Sequence, residues 1–176
     1  MARLQQFRLT FAGLVAVLAI FFFVGVAINR TAMTAVKVQL KPGAEEPGDH
    51  HVLGVGAKDK LPDYEVRFRT GDEWRTIGVR RNTSAAGGLE FPLKEPWPLR
   101  KVEELQLVET DHLENDILEQ FPVNEGKIVG KAFEFEIAHA ESWNAGAQWF
   151  WDSMIGKAIL LGITLGIAAI IFANLG

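Results

Sequence analysis

Two uninterrupted apolar runs bracket a long segment in which apolar and polar residues alternate. Residues 11–28 (FAGLVAVLAIFFFVGVAI) contain 16 hydrophobic positions and no charge. Residues 158–176 (AILLGITLGIAAIIFANLG) contain 14 and again no charge. Eighteen helical residues rise about 27 Å, close to the thickness of a bilayer's hydrocarbon layer. Neither run has the polar face of a soluble amphipathic helix. Both therefore predict transmembrane helices, over 11–29 and 158–176.

The segment between them has a period of two. Val36, Val38 and Leu40 alternate with polar neighbours, as do Tyr64, Val66 and Phe68. Ile77 and Val79, Leu89, Phe91 and Leu93, Leu105 and Leu107, and Phe133, Phe135 and Ile137 continue the pattern. Short alternating runs predict half-buried strands. Turn chemistry separates them at Lys41-Pro-Gly, Leu61-Pro-Asp, Thr70-Gly-Asp, Ala86-Gly-Gly, Glu95-Pro-Trp-Pro and Asn124-Glu-Gly. Six to eight such strands predict a mainly β protein, an antiparallel β-sandwich flanked by the two helices. The expected organisation is an N-terminus at 1–10, a linker with first strands at 30–62, a sandwich core at 63–141 and a Trp-rich interfacial segment at 142–157. One stretch, His112–Phe121, reads as a short helix, because Leu113, Ile117 and Phe121 would share a face.

Composition sharpens this division. The chain has 176 residues, 48% of them hydrophobic, yet carries a net charge of −4. Residues 29–156 hold all 22 acidic residues and 15 of the basic ones, a net of −7. That balance argues against nucleic acid and against broad adhesion to anionic lipid. The absence of cysteine excludes disulfides, thiolate metal sites and covalent haem attachment.

Arg3 and Arg8 precede the first helix, with Gly25-Val26-Ala27 as a tolerable cleavage site, so a signal peptide is one reading. The apolar run exceeds a typical signal core, which favours an uncleaved anchor. The basic residues before it place both termini in the cytoplasm of a bacterial inner membrane and the acidic domain in the periplasm. Trp143, Trp149 and Trp151, with Phe150, are expected at headgroup level, and Lys157 is placed to snorkel. Ala158, Gly162 and Gly166 recur at intervals of four and predict a close helix–helix contact. Ala12 and Ala16 offer a similar spacing in the first helix. Neither apolar run contains an ionisable side chain, so anchorage is expected and not ion or proton transport.

The run Val55-Gly-Ala-Lys-Asp-Lys-Leu-Pro-Asp-Tyr-Glu-Val-Arg-Phe68 resembles the opening of a C-two domain, the calcium- and lipid-binding sandwich. Trp74-Arg75-Thr76 is similar to that family's basic-Thr pair. Leu89-Glu-Phe91 with Trp97 falls where it has an aromatic strand. Leu105-Gln-Leu-Val-Glu-Thr-Asp111 followed by Glu114-Asn-Asp116 resembles its later strand and acidic loop. The resemblance spans residues 50–138 and implies calcium ligands at Asp59, Asp63, Glu109, Asp111 and Asp116. The sequence departs from the family in lacking a proline between Asp63 and Tyr64, in a short first loop, in Glu109 at an Asp position and in a third loop one residue short.

Other chemistry is thin. Asp49-His50-His51 with Glu45 and Glu46 offers imidazole and carboxylate donors in a Pro/Gly-rich linker, and His112 and His139 stand alone. No GxSxG and no phosphate-binding glycine loop is present. Glu103 and Glu104 are expected to alternate faces of a strand. The expectation is a non-catalytic accessory subunit, without a cofactor, whose partners are the bilayer and integral membrane subunits of a larger complex. Photosynthetic or respiratory assemblies are natural hosts. The competing expectation is a calcium- or lipid-binding module.

Overall fold

A computed structural model of the chain describes residues 2–47, 61–110, 115–123 and 127–175. The chain divides into two compact units, one of residues 32–140 and one of residues 1–31 with 141–176.

The first unit is built of strands. In chain order they are β1 (Thr31–Leu40), β2 (Tyr64–Thr70), β3 (Glu73–Arg80), β4 (Leu89–Pro98), β5 (Glu104–Thr110), β6 (Asn115–Pro122), β7 (Lys127–Val129) and β8 (Phe133–Glu141). They form two four-stranded sheets, ordered β4-β1-β8-β7 and β3-β2-β5-β6. Every register determined is antiparallel.

The alternating residues explain why the sheets share a core. Met33, Val36, Val38, Phe91 and Phe135 come from one sheet, and Tyr64, Val66, Leu105 and Leu107 from the other; all are buried. Aromatic pairs bridge the two sheets edge-on, Tyr64 to Phe133 at 5.8 Å and Phe121 to Phe135 at 5.1 Å. Such pairs add about 1 kcal/mol each beyond their buried area. Gly71 closes the β2–β3 hairpin at φ 59°, a conformation that a side chain disfavours.

Three local expectations change. His112–Phe121 is not helical where it is described. Residues 115–122 form β6, paired to β5 from Glu104↔Pro122 to Thr110↔Asn115. The apolar positions there fit both periods, and pairing to a buried neighbour decides between them. Glu95-Pro-Trp-Pro forms the last four residues of β4, which ends at Pro98 and passes into a short 3-10 turn, Leu99–Lys101, so the strand runs further into the motif than expected. Glu103 and Glu104 do not diverge. Glu103 precedes β5, so both carboxylates reach Arg69, at 3.3 and 2.6 Å.

The second unit has three helices, α1 (Ala2–Ile28), α2 (Trp143–Asp152) and α3 (Met154–Leu175). Two windows, Leu9–Ile28 and Met154–Phe172, are long and apolar enough to cross a membrane. Almost none of either window is buried within the protein. The Trp-rich segment is thus itself a helix, and the second apolar helix starts four residues before Ala158.

Candidate partner-contact surfaces

The helical unit is closed by glycines. Its first contact follows from the absence of a Cβ at Gly146, where one would lie 2.5 Å from the Val26 carbonyl oxygen. Gly25 of α1 meets the Phe150 ring in the same way, at 2.8 Å. Gly156 sits against the Phe150 carbonyl, and Gly166 of α3 sits against the Phe11 ring. Close approach of this kind brings helices into extensive dispersion contact. Around the α1–α2 crossing, Phe22 packs edge-on against Phe150 at 5.0 Å and lies 5.4 Å from Trp151.

Polar caps fix the ends of these helices. Ser142 Oγ accepts from the Ala145 amide, capping α2. Ser153 ends α2 and starts α3, its Oγ donating to the Phe150 carbonyl and accepting from the Gly156 amide. At the α1 terminus Asn29 donates to the Gly25 carbonyl at 2.7 Å. Arg30 pairs with Glu141 at 2.8 Å and lies over the Trp143 ring.

The small-residue stripe is split by this arrangement. Gly166 is used within the chain, against α1. A Cβ at Gly162 would meet nothing within 4 Å, and Ala158 is exposed. Trp143 and Trp151 are 55% and 41% exposed, Trp149 is half-buried, and Lys157 is exposed. The glycines at 25, 146 and 156 were not legible in advance. Their only signal is glycine among large aromatics.

Of the residues implied as calcium ligands, Asp59 and Asp111 lie outside the described residues, as do Asp49, His50, His51 and His112. The other three gather at one end of the β3-β2-β5-β6 sheet, since Glu109 stands opposite both Tyr64 and Asp116. Asp63 immediately precedes β2, and its carbonyl accepts from the Thr110 amide at 2.8 Å. Its carboxylate accepts the Asn82 amide at 2.7 Å, at a residue with φ 47°. Asp63 therefore ties three loops together. Glu109 is buried, 2% exposed, while Asp116 is exposed. Among the described residues no three metal-ligating side chains converge.

The acids that matter most to this fold are elsewhere. Glu46 accepts from the Tyr64 hydroxyl, the Ser84 hydroxyl and the Ala85 amide, joining the 41–47 segment to the 82–88 loop. Burial, then the Glu46 hydrogen bond and the charges of Glu46 and Glu109, push the Tyr64 phenol far above its ordinary pKa. Tyr64 thus stays a neutral donor. Glu119 accepts three consecutive amides, from Lys131, Ala132 and Phe133, and holds the β7–β8 turn to β6. Lys41 donates to the Gly130 carbonyl in the same turn. On the outer face of β2, Glu65 takes a two-point bond from Arg67, both contacts at 2.7 Å. That bond, helped by Thr76 and Thr110 against the cost of burial, holds the Glu65 carboxyl below its usual range. Glu65 and Arg67 thus neutralise each other on this face.

The chain matches no protein-family model and no curated protein sequence.

Proposed function

We propose that this chain is a non-catalytic, membrane-anchored accessory subunit of a larger bacterial membrane complex. Its two apolar helices hold it in the inner membrane with both termini cytoplasmic, and its two-sheet domain braces partner subunits on the periplasmic side. The observation that carries this is the outward-facing apolar surface of α1 and α3, which lacks an ionisable group from Leu9 to Ile28 and from Ala158 onward. In water that surface would aggregate; in a bilayer or against partner helices it is stable. Support comes also from the way carboxylates in the β unit are engaged by backbone amides and arginines, as Glu119 and Glu65 are. Photosynthetic or respiratory assemblies are the class of host that suits such a subunit. Extraction from native membranes in mild detergent tests it: the chain should migrate within a larger assembly, and migration alone defeats the proposal.

A second reading is favoured by the gathering of Asp63, Glu109 and Asp116 at one sheet end. In it the domain is a C-two-like module that binds calcium or lipid there. Calorimetric titration of the full chain with calcium decides: heat that disappears in Asp63→Asn with Asp116→Asn supports it, and no heat at millimolar calcium removes it.

A further inference from the structure

Among the described residues β3 and β4 are edge strands of their sheets, and both border one cleft. Strand β3 pairs with β2 and with no other described strand, and it is exposed or half-buried along its whole length. An exposed edge of eight residues presents a row of backbone donors and acceptors ready to pair. Natural domains cover such edges, shorten them or use them.

Strand β4 shapes the other wall. Its register to β1 passes from Ala35↔Pro92 to Met33↔Trp97, so β1 advances two residues while β4 advances five. The extra residues arch out of the ladder over Leu93–Pro96, an enlarged form of the bulges that re-aim strands beside binding sites. Between arch and β3 lies a cleft of about 620 Å³. Phe68 and Trp97 line it, 5.5 Å apart, and the Arg75 guanidinium sits 4.5 Å from the Trp97 ring centre. The Trp97 indole N–H is shielded from solvent and meets no acceptor. A buried donor of this kind calls for a partner.

Charge narrows the occupant. Strand β3 and the next residue carry Arg75, Arg80 and Arg81 against Glu73 alone, a formal excess of two positive charges in a region that is otherwise net acidic, although Arg75 pairs with Glu73 at 3.0 Å, Arg80 donates to the Glu90 carbonyl and Arg81 lies 3.9 Å from Asp63. The charged residues lining the cleft are Arg75, Lys94 and Glu95. A second copy of this chain pairing edge to edge would bring together two strands of the same net positive charge, even though Glu73 would then stand opposite Arg80. An acidic strand would instead meet complementary charge.

We propose that an extended, acidic segment of a partner subunit adds to the β3 edge, with an apolar side chain seated on Phe68 and Trp97. The inference rests on the subunit assignment above and names the chemistry of one partner contact. Main-chain bonds to β3 supply affinity, and the cleft reads alternate side chains.

The probe is a fluorescein-labelled acetyl-(Glu-Val)3-amide peptide, titrated into the full chain in detergent, with amide hydrogen exchange read on β3. Saturable binding is expected, with at least tenfold slower exchange of amides within Glu73–Arg80. A (Lys-Val)3 peptide should not bind. Arg75→Glu should weaken binding at least tenfold. Lys94→Glu, on the exposed arch, should weaken it threefold or more and guards against misfolding of the first variant. Three results overturn the proposal: no saturable binding, equal binding by both variants, or protection confined to other strands. Protection of β3 that rises with protein concentration, without peptide, also overturns it by showing a second copy there. Failure of the peptide while the chain still migrates in a large native assembly removes this inference and leaves the subunit assignment. Peptide binding by a chain that migrates alone does the reverse.

Discussion

The two units of this chain solve the same packing problem in opposite ways. In the β unit, large apolar side chains such as Phe91 and Phe135 are fully buried, and charges cover the outside. In the helical unit the order is inverted: Phe21 and Phe23 are each 60% exposed, while glycines sit at the contacts. Burial of apolar area drives the first. Close backbone approach at glycines holds the second together, and in the proposed membrane setting dispersion would drive it, since lipid chains are as apolar as the side chains. Orphan backbone and hydroxyl groups are handled alike in both, by nearby side-chain oxygens such as Glu119 in one and Ser153 in the other.

Substitutions can break this contrast. Phe135→Ala should lose about 3–5 kcal/mol from the β unit in chemical unfolding, through lost transfer energy and the cavity left behind. Phe21→Ala, the same chemical change at an exposed position, should leave thermal unfolding in detergent nearly unchanged. Next in size is Glu119→Ala, which strips three amides of their acceptor. A loss of about 2–3 kcal/mol is expected, with faster exchange at Lys131, Ala132 and Phe133. Gly146→Val should cost about 1–3 kcal/mol by forcing α2 away from the Val26 carbonyl. Gly162→Val, with open space around it, should cost nothing measurable. Equal effects at the two glycines would show that the α1–α2 crossing is not the seam.

The smallest effect concerns pH. Glu65 has a folded pKa held below its ordinary value of 4.5. Its hydrogen-bonded, ionised form therefore stabilises the fold above that value, and the contribution fades as pH falls through the lowered pKa. Glu65→Gln should show a flatter fall of thermal stability between neutral pH and the acid range. An unchanged slope would mean that the Arg67 bond contributes no net stability.

Much of the architecture could be read from periodicity. Alternation placed Tyr64, Val66, Phe68, Leu105, Leu107, Phe133 and Phe135 inside, because a strand's two faces differ in solvent. Uncharged runs placed α1 and α3, because length and apolarity suffice for that. Elements decided by distant partners were not legible. Residues 115–122 became a strand through pairing with β5, and Leu93–Pro96 became an arch through the fixed register on either side. The contact surfaces were half legible. The spacing of Ala158, Gly162 and Gly166 pointed to helix packing, yet of the two glycines Gly166 meets α1 and Gly162 does not. The Asp63 carboxylate accepts the Asn82 amide, a use that no local pattern announces.

The central claim is that the outward apolar face of the helical unit and the two-sheet domain serve a larger membrane assembly. Native gel migration of the chain from membranes solubilised in mild detergent, with the co-migrating proteins identified, tests it most directly. Migration far above the 19.5 kDa of the chain, with constant partners that are integral membrane proteins, is the expected result. A band at the size of the single chain with its detergent, and no constant partner, would contradict it.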